Sequence, residues 1–438
     1  MKKRYIFTIV FLLITVILMT ACSNNVDVVE VDIEQAAKPT ITPMPTQKPK
    51  PKPTLEPTPD PGQYGDGMFV VESFENIFPA NIKQNFKYDK QEWFLNYIVA
   101  LSDGFIYKEP SIYANQIEKI DYGDRMETSA MIVSDTIGHW YRVHWKDKEE
   151  NEFFGYVHNS IADYRQFLLD KAYEDTGMLQ KKVDEENSFY VSINNRNNAN
   201  GFAPETNLTD EYGKIIDQYG VLHDQSAPAY IENSKSSEFR YICDGTLVEV
   251  INKTDNLVEI YVPQYDENFF TPRKYLKYKD SDPKTSIEKL TESIVIDRTN
   301  QNIMYFEVNK ETDEWELLTM SYVSTGTESV YADPTPIGFF MVQKVRIQFE
   351  YPSDENEGIE AGYAPYVIRF SGGAYNHGVP LNYTKDKLGN IVKPNTRESH
   401  PSLGVKAESH MCVRNYTSHA EFLFKRVEAG KAVVIVIE

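Results

Sequence analysis

The sequence predicts a multidomain, mainly β chain: two small β-barrels followed by a β-rich domain with one helix near the C-terminus. Three observations support this. The 438 residues exceed one ordinary domain, and 41% are hydrophobic, enough for several cores. Between about 95 and 281, short alternating apolar runs are separated by Gly, Asp and Pro turns. In the last 150 residues the runs lengthen and one amphipathic stripe follows. The net charge of −20 argues against nucleic acid or another polyanion as the main partner.

Residues 1–22 are not a folded domain. Lys2, Lys3 and Arg4 precede the apolar run "YIFTIVFLLITVILMTA", which ends at Cys22. This is a secretory signal segment. "MTAC" resembles a bacterial lipoprotein signal with Cys22 as the lipidated residue, although Met19 stands where leucine is more usual. The alternative is an uncleaved transmembrane anchor. Either way, the expectation is a chain held outside the cytoplasm and tied to a membrane.

Residues 23–65 form a tether. Nine of the 24 residues from Lys38 to Pro61 are proline, which favours an extended polyproline-like chain. At about 3 Å per residue it reaches roughly 70 Å.

Residues 95–165 carry "YIVALSDGFIYKEPSI", "IEKIDYGDRMETSAMIV", "HWYRVHW" and "FFGYVHN". The order "IYKEPS", "YGD", "WYRV", "GYVH" resembles bacterial SH3-like domains. A possible second copy spans 219–281, with "YGVLHDQSAPAYI", "GTLVEVI", "NLVEIYVP" and "YLKY". Between them, residues 166–218 form a connector; "DYRQFLLDKAYEDTGMLQKKV" is its helix candidate, followed by an Asn-rich loop. His139, His144, His158 and His223 are scattered without metal-ligand spacing and read as surface or strand residues.

Residues 291–438 read as a β-rich domain. "SIVIDRTNQNIMYFEV" gives two strands, "WELLTMSYVSTG" a third, "TPIGFFMVQKV" a fourth and "YAPYVIRFSGGAYNHG" a fifth. Ser418 and Glu421 have capping-box spacing before "HAEFLFKRVEA", Gly430 can stop that helix, and "KAVVIVIE" is a buried terminal strand.

The chain has three cysteines. If Cys22 carries lipid, Cys243 and Cys412 remain, so one disulfide is the most they can form. Cys243 lies in the strand-like "FRYICDGTLVEV" and reads as a buried small residue. Cys412 stands in "AESHMCVRN", beside His410 and after a turn-rich loop. His377, in "AYNHGVP", ends a strand. A cysteine becomes a nucleophile when a base takes its proton. On spacing alone, a Cys/His pair and a buried thiol are equally compatible with the sequence.

"SHMCVRN" resembles the active-site signature of the L,D-transpeptidase catalytic domain family, whose usual form is Ser/Thr-His-Gly-Cys. "IVIDRTNQNIMYFEV", "VSTGTESVYADPTPIGFFMV", "YNHGVP" and "HPSLG" resemble further family segments in the same order. The resemblance covers about 291–438. It implies that Cys412 is the nucleophile, that His377 is the general base and acid, and that the Gly378 carbonyl orients the imidazole. It also implies an oxyanion hole from the backbone amides of Cys412 and Met411. Ser409 and His410 shape the pocket, and Arg414 orients substrate or loop.

The sequence departs from the family in two ways. Met411 replaces glycine. If that position needs φ > 0, methionine is strained; if only its N–H is needed, methionine is acceptable, and this second reading is the expectation. His377 also lies 35 residues before Cys412, farther than is usual. The extra piece "LNYTKDKLGNIVKPNTRE" is expected to form a hairpin flap over the site. His400, 12 residues before Cys412, competes as base. His419 is expected on the helix surface.

The implied function is peptidoglycan cross-linking on tetrapeptide stems with release of D-Ala, without metal or organic cofactor. Alternatives are an L,D-carboxypeptidase, which passes the same acyl group to water, and a wall-binding protein with a decayed site. The implied partners are stem peptides and, through the lipid anchor, a membrane.

Overall fold

The longest apolar runs become the middle of an eleven-stranded sheet in the C-terminal third. The computed structural model describes residues 68–134, 138–146, 151–185, 190–192, 206–223, 225–253, 257–276, 287, 289–352 and 359–438. The expectations for the signal, the tether and Cys22 lie outside these residues.

The sheet is built from β1 (Glu292–Asp297), β2 (Asn302–Val308), β3 (Trp315–Ser324), β4 (Gly338–Met341), β5 (Lys344–Pro352), β6 (Glu360–Arg369), β7 (Tyr375–His377), β8 (Val413–Asn415) and β9 (Ala432–Ile437). Their order is β4-β9-β1-β2-β3-β8-β7-β6-β5, with the short strands Lys83–Gln84 and Leu381–Asn382 joining β3 and β6. The β1–β9 and β7–β8 pairs are parallel.

Both faces of the central strands are covered, which is why their sequences run apolar instead of alternating. On one face, Val295, Met304, Leu317, Val433 and Ile435 pack with α1 (Leu169–Glu185) through Leu169, Ala172, Leu179 and Val183. Thr176 on α1 also meets Ser293 at 2.8 Å. On the other face, Ile294, Ile303, Leu318, Val434 and Val436 pack with Leu423 of α2 (Thr417–Arg426).

Several sequence expectations need correction. The helix candidate starts late: Ala162–Gln166 is a strand, and α1 begins at Leu169. The stretch 363–378 is two strands, because Ser371, Gly372 and Gly373 interrupt it. Ser418 does not cap α2. The cap position is Tyr416, without a side-chain bond. Instead the remote Glu398 accepts from the Ser418 amide at 3.1 Å, and its carbonyl accepts from the Thr417 amide. The helix stops at Arg426, four residues before Gly430.

Met68–Ser73 through Ala162–Gln166 form an eight-stranded antiparallel sheet around Ile98, Ile106, Ile120, Val143 and Val157. Tyr190–Ser192 through Glu267–Thr271 form a six-stranded sheet around Ala227, Val248, Ile260 and Phe269. Their SH3-like reading is a proposal from the sequence.

Both sheets are tied to the C-terminal domain. From the first, Arg125 stacks on Tyr322, 4.2 Å from the ring centre, and Tyr97 Oη donates to the Asn300 carbonyl. From the second, Asp244 pairs with Arg369 at 2.7 Å, both side chains almost fully buried. Gln343 accepts from Arg369 at 2.6 Å, and Ser371 donates to the Asp244 carbonyl at 2.6 Å.

Candidate active site

The topology brings the Cys412 and His377 segments side by side. β7 and β8 are parallel neighbours, with Asn376 opposite Val413 and His377 opposite Arg414. β8 also pairs with the end of β3, Ser324 opposite Arg414. Cys412 enters β8 one residue earlier, level with Tyr375.

A buried polar chain holds this juncture. Asn415 donates to Asn376 at 3.0 Å, His419 Nδ1 lies 2.9 Å from the Asn415 oxygen, and His419 Nε2 lies 3.1 Å from Thr319 Oγ1. Because the Asn415 amide nitrogen donates to Asn376, its oxygen accepts from His419 Nδ1–H, and His419 Nε2 accepts from Thr319. All four side chains are fully buried. The surface expectation for His419 is therefore overturned. Burial holds it neutral, with its pKa lowered to about 3.

His377 is buried, and its Nδ1 lies 2.6 Å from the Gly378 carbonyl. A carbonyl only accepts, so Nδ1 carries the proton and Nε2 is the basic nitrogen. Phe349 of β5 packs edge-on against the ring, centroids 5.7 Å apart. Burial lowers the His377 pKa to about 4, opposed by the Gly378 bond and helped by the Arg414 charge. Gly378 has little room for a side chain: a Cβ there would meet Pro365 and Thr417 at 3.0 Å.

Cys412 is half-buried. Its thiol donates to the Gly373 carbonyl at 3.5 Å and accepts from the Tyr375 backbone amide. Burial pushes its pKa up to about 11, against the lowering effects of the Tyr375 amide and Arg414. The resting pair is thus neutral thiol and neutral imidazole. Among the described residues, no hydrogen bond joins Cys412 to either His377 or His400.

The loop before Cys412 is fixed from below. Gly326 and Ser409 form a bridge, the Thr327 amide donates to the Ser409 carbonyl, and Ser409 Oγ donates to the Cys412 carbonyl. Thr335 Oγ1 accepts from the Gly326 amide at 2.7 Å and donates to the Met411 carbonyl at 2.9 Å. Gly326 is needed for this approach: a Cβ would come within 2.6 Å of Met411 Cα.

Met411 has φ +112°. This overturns the expectation that only its N–H matters. The position is one that favours glycine, and methionine holds it under strain.

His410 is solvent-exposed. Arg414 is half-buried, its Nη1 4.0 Å from Glu408. His400 approaches the same carboxylate at 3.6 Å and Ser402 Oγ at 2.8 Å. The insertion contains an exposed hairpin, Thr384–Lys385 with Ile391–Val392. Its flanks bond elsewhere: Tyr363 Oη donates to the Pro394 carbonyl, and Tyr351 Oη to Asn382.

The sequence reading missed Asn376, Asn415, Thr319 and the Gly373 carbonyl. Only Asn376, a polar residue inside a strand-like run, left a signal. Thr335 and Gly326 stood in quoted motifs without assigned roles. Cys243 and Cys412 are not joined in a disulfide, and Cys243 is half-buried rather than buried. Among the described residues, no cluster of three or more His, Cys, Asp or Glu could hold a metal ion.

The family model of the YkuD L,D-transpeptidase catalytic domain matches residues 291–436. The C-terminal third is an L,D-transpeptidase catalytic domain. Similar solved structures include a fused Zn-dependent amidase/peptidase/peptidoglycan-binding domain-containing protein from Clostridium acetobutylicum (17% identity, 33% of this chain and 51% of that one, TM-score 0.22). Another is an L,D-transpeptidase from Mycobacterium smegmatis (17% identity, 49% and 96%, TM-score 0.26). A third is an L,D-transpeptidase from Mycobacterium tuberculosis H37Rv (14% identity, 49% and 76%, TM-score 0.26). This chain thus spans about half of the first and most of the other two. No curated protein matches it. The match supports an enzyme domain of L,D-transpeptidase type at residues 291–436.

Proposed function

We propose that the protein is an L,D-transpeptidase that cross-links peptidoglycan through a thioester on Cys412. The observation that carries this reading is the parallel β7–β8 pair within the matched domain, which sets the cysteine segment beside a histidine whose Nε2 is free to act as base. Cys412 Sγ attacks the carbonyl between the L- and D-centres of a tetrapeptide stem, and His377 Nε2 takes the thiol proton. With a thiol near 11 and an imidazole near 4, the proton moves as the C–S bond forms, not beforehand. The amides of Met411 and Cys412 receive the developing oxyanion. The C–N bond then breaks, His377 returns the proton to the departing D-Ala amine, and the thioester remains. An amine from a neighbouring stem attacks it, gives its proton to His377, and the thiolate leaves to be protonated again.

Gly378 orients His377, and Ser409 holds the Cys412 carbonyl. Arg414 steers the donor peptide with Glu408 as its counter-charge, and the exposed His410 edges the pocket. The sequence of residues 1–65, with its secretory pattern, Cys22 and proline-rich tether, supports a site outside the cytoplasm on a lipid anchor reaching the wall. The experiment incubates residues 66–438 with tetrapeptide muropeptides. Cross-linked dimer supports the proposal, tripeptide alone turns it into a carboxypeptidase, and unchanged substrate leaves a decayed site.

A further inference from the structure

A cavity of about 260 Å³ lies where the 190–276 sheet meets the L,D-transpeptidase domain. Met411 and Gly373 line it on the catalytic side, Gln225, Arg240, Gln264 and Tyr265 on the other. Two of its lining residues adjoin the Cys412 thiol: Met411 precedes Cys412, and the Gly373 carbonyl accepts from the thiol. A Cβ on Gly373 would sit 3.6 Å from Met411 Sδ and 4.0 Å from Gln225 Nε2.

The chemistry on the far wall is specific. The Arg240 guanidinium lies 3.3 Å from the centre of the Tyr265 ring and 4.5 Å from that of Tyr219. Two aromatic faces hold it in one plane. Its Nε is buried without a hydrogen-bond partner, and its charge acts on the nearby Asp217 carboxylate. The nearby Asp217 is occupied, its oxygens accepting from the amides of Tyr219, Val221 and Tyr241. A held cationic fork with two amide side chains beside it suits a carboxylate on an amide-rich chain.

We propose that this cavity is a subsite for a carboxylate-bearing arm of the donor peptide, and that Arg240 selects peptides whose side carboxylate is free over those in which it is amidated. The subsite rests on the reading of Cys412 as acyl acceptor. It extends that reading to residues outside the catalytic domain.

The test is calorimetric binding to the Cys412→Ala form of residues 66–438, with two tetrapeptide stems that differ only in a free or amidated side carboxylate. One charge-assisted bond predicts about 10- to 100-fold tighter binding of the carboxylate peptide. Arg240→Gln should erase that ratio, and Arg240→Lys, which keeps charge without the fork, should keep part of it. Equal affinity for the two peptides, no binding of either, or a ratio that survives Arg240→Gln would overturn the proposal. The first comparison needs no Arg240 variant, so a folding defect cannot obscure it. Mass spectrometry of Cys412 in the unsubstituted protein separates the two readings. Acylation without a binding ratio sinks the subsite alone, and a ratio without acylation sinks the transpeptidase reading alone.

Discussion

The φ of +112° at Met411 can be tested through two substitutions. Met411→Ala removes the thioether arm but leaves a Cβ in the unfavourable region. Met411→Gly removes both. At an ordinary position the step from Ala to Gly costs about 0.5–1 kcal/mol, because glycine is freer when unfolded. A non-glycine residue held in a sparsely populated φ costs about 1–3 kcal/mol. At 411 the two oppose, and the strain is the larger, so Gly should exceed Ala by about 1 kcal/mol. That corresponds to a melting point about 2–4 °C higher in a catalytic domain of this size. Comparing each with the unsubstituted protein is less informative, since the half-buried methionine also contributes about 1 kcal/mol of packing. Differential scanning calorimetry of the two variants decides it. A Gly variant melting below the Ala variant would refute the strain.

Other consequences follow from the same geometry. Alkylation of Cys412 by iodoacetamide, followed by peptide mass mapping to separate it from Cys243, should keep accelerating above pH 9, since burial pushes the thiol to about 11; a plateau near pH 7 would mean a preformed ion pair. His377→Gln should lower turnover of a tetrapeptide stem by about 10²–10⁴-fold, whereas His400→Gln should cost less than about tenfold; the reverse would move the base to His400. His377 and His419 have folded pKa values lowered to about 4 and about 3, so below their unfolded value of about 6.5 the unfolded chain binds the protons first. Stability is therefore full above about pH 6.5 and falls as pH drops toward 4, by at most about 1.4 kcal/mol per pH unit per histidine, and urea titrations of His419→Gln should show a shallower fall. Arg369→Leu should destabilise by about 3–5 kcal/mol by removing the guanidinium that pairs with the buried Asp244, and adding Asp244→Leu should restore much of it; an unaltered melting point for the single variant would disprove that coupling.

What the sequence revealed tracks how local its cause is. "IVID" and "VVIVI" announce strands because both of their faces are buried, and residue order alone carries that signal. Cys412 and His377 were legible as motif residues. Their neighbourhood was not, since Asn376, Asn415, Thr319 and His419 come from four separate segments and meet only once β3, β7 and β8 are in register. His419 followed a surface pattern in its own helix, but Tyr88, from far upstream, stacks edge-on against it and helps to seal it in. Ser418 had the spacing of a cap, yet Glu398 supplies the acceptor from the insertion. The φ of residue 411 was undecidable from side-chain identity, because Gly326 and Thr335, from a separate segment, hold the loop on either side of it.

The same logic gives the 190–276 sheet a part in the catalytic geometry. The thiol proton of Cys412 rests on the Gly373 carbonyl. Gly373 belongs to the turn Ser371–Gly373, and that turn is held by Ser371 donating to the Asp244 carbonyl. Gln225 packs so closely against Gly372 that a Cβ there would meet its Oε1 at 2.6 Å. On the opposite lip, Lys214 bonds the Ala332 carbonyl at 2.6 Å and pairs with Asp333, while Thr335, two residues further on, grips the Met411 carbonyl. One wall is therefore braced from the turn at Asp244 and from Gln225, the other by Lys214 in the loop 206–223.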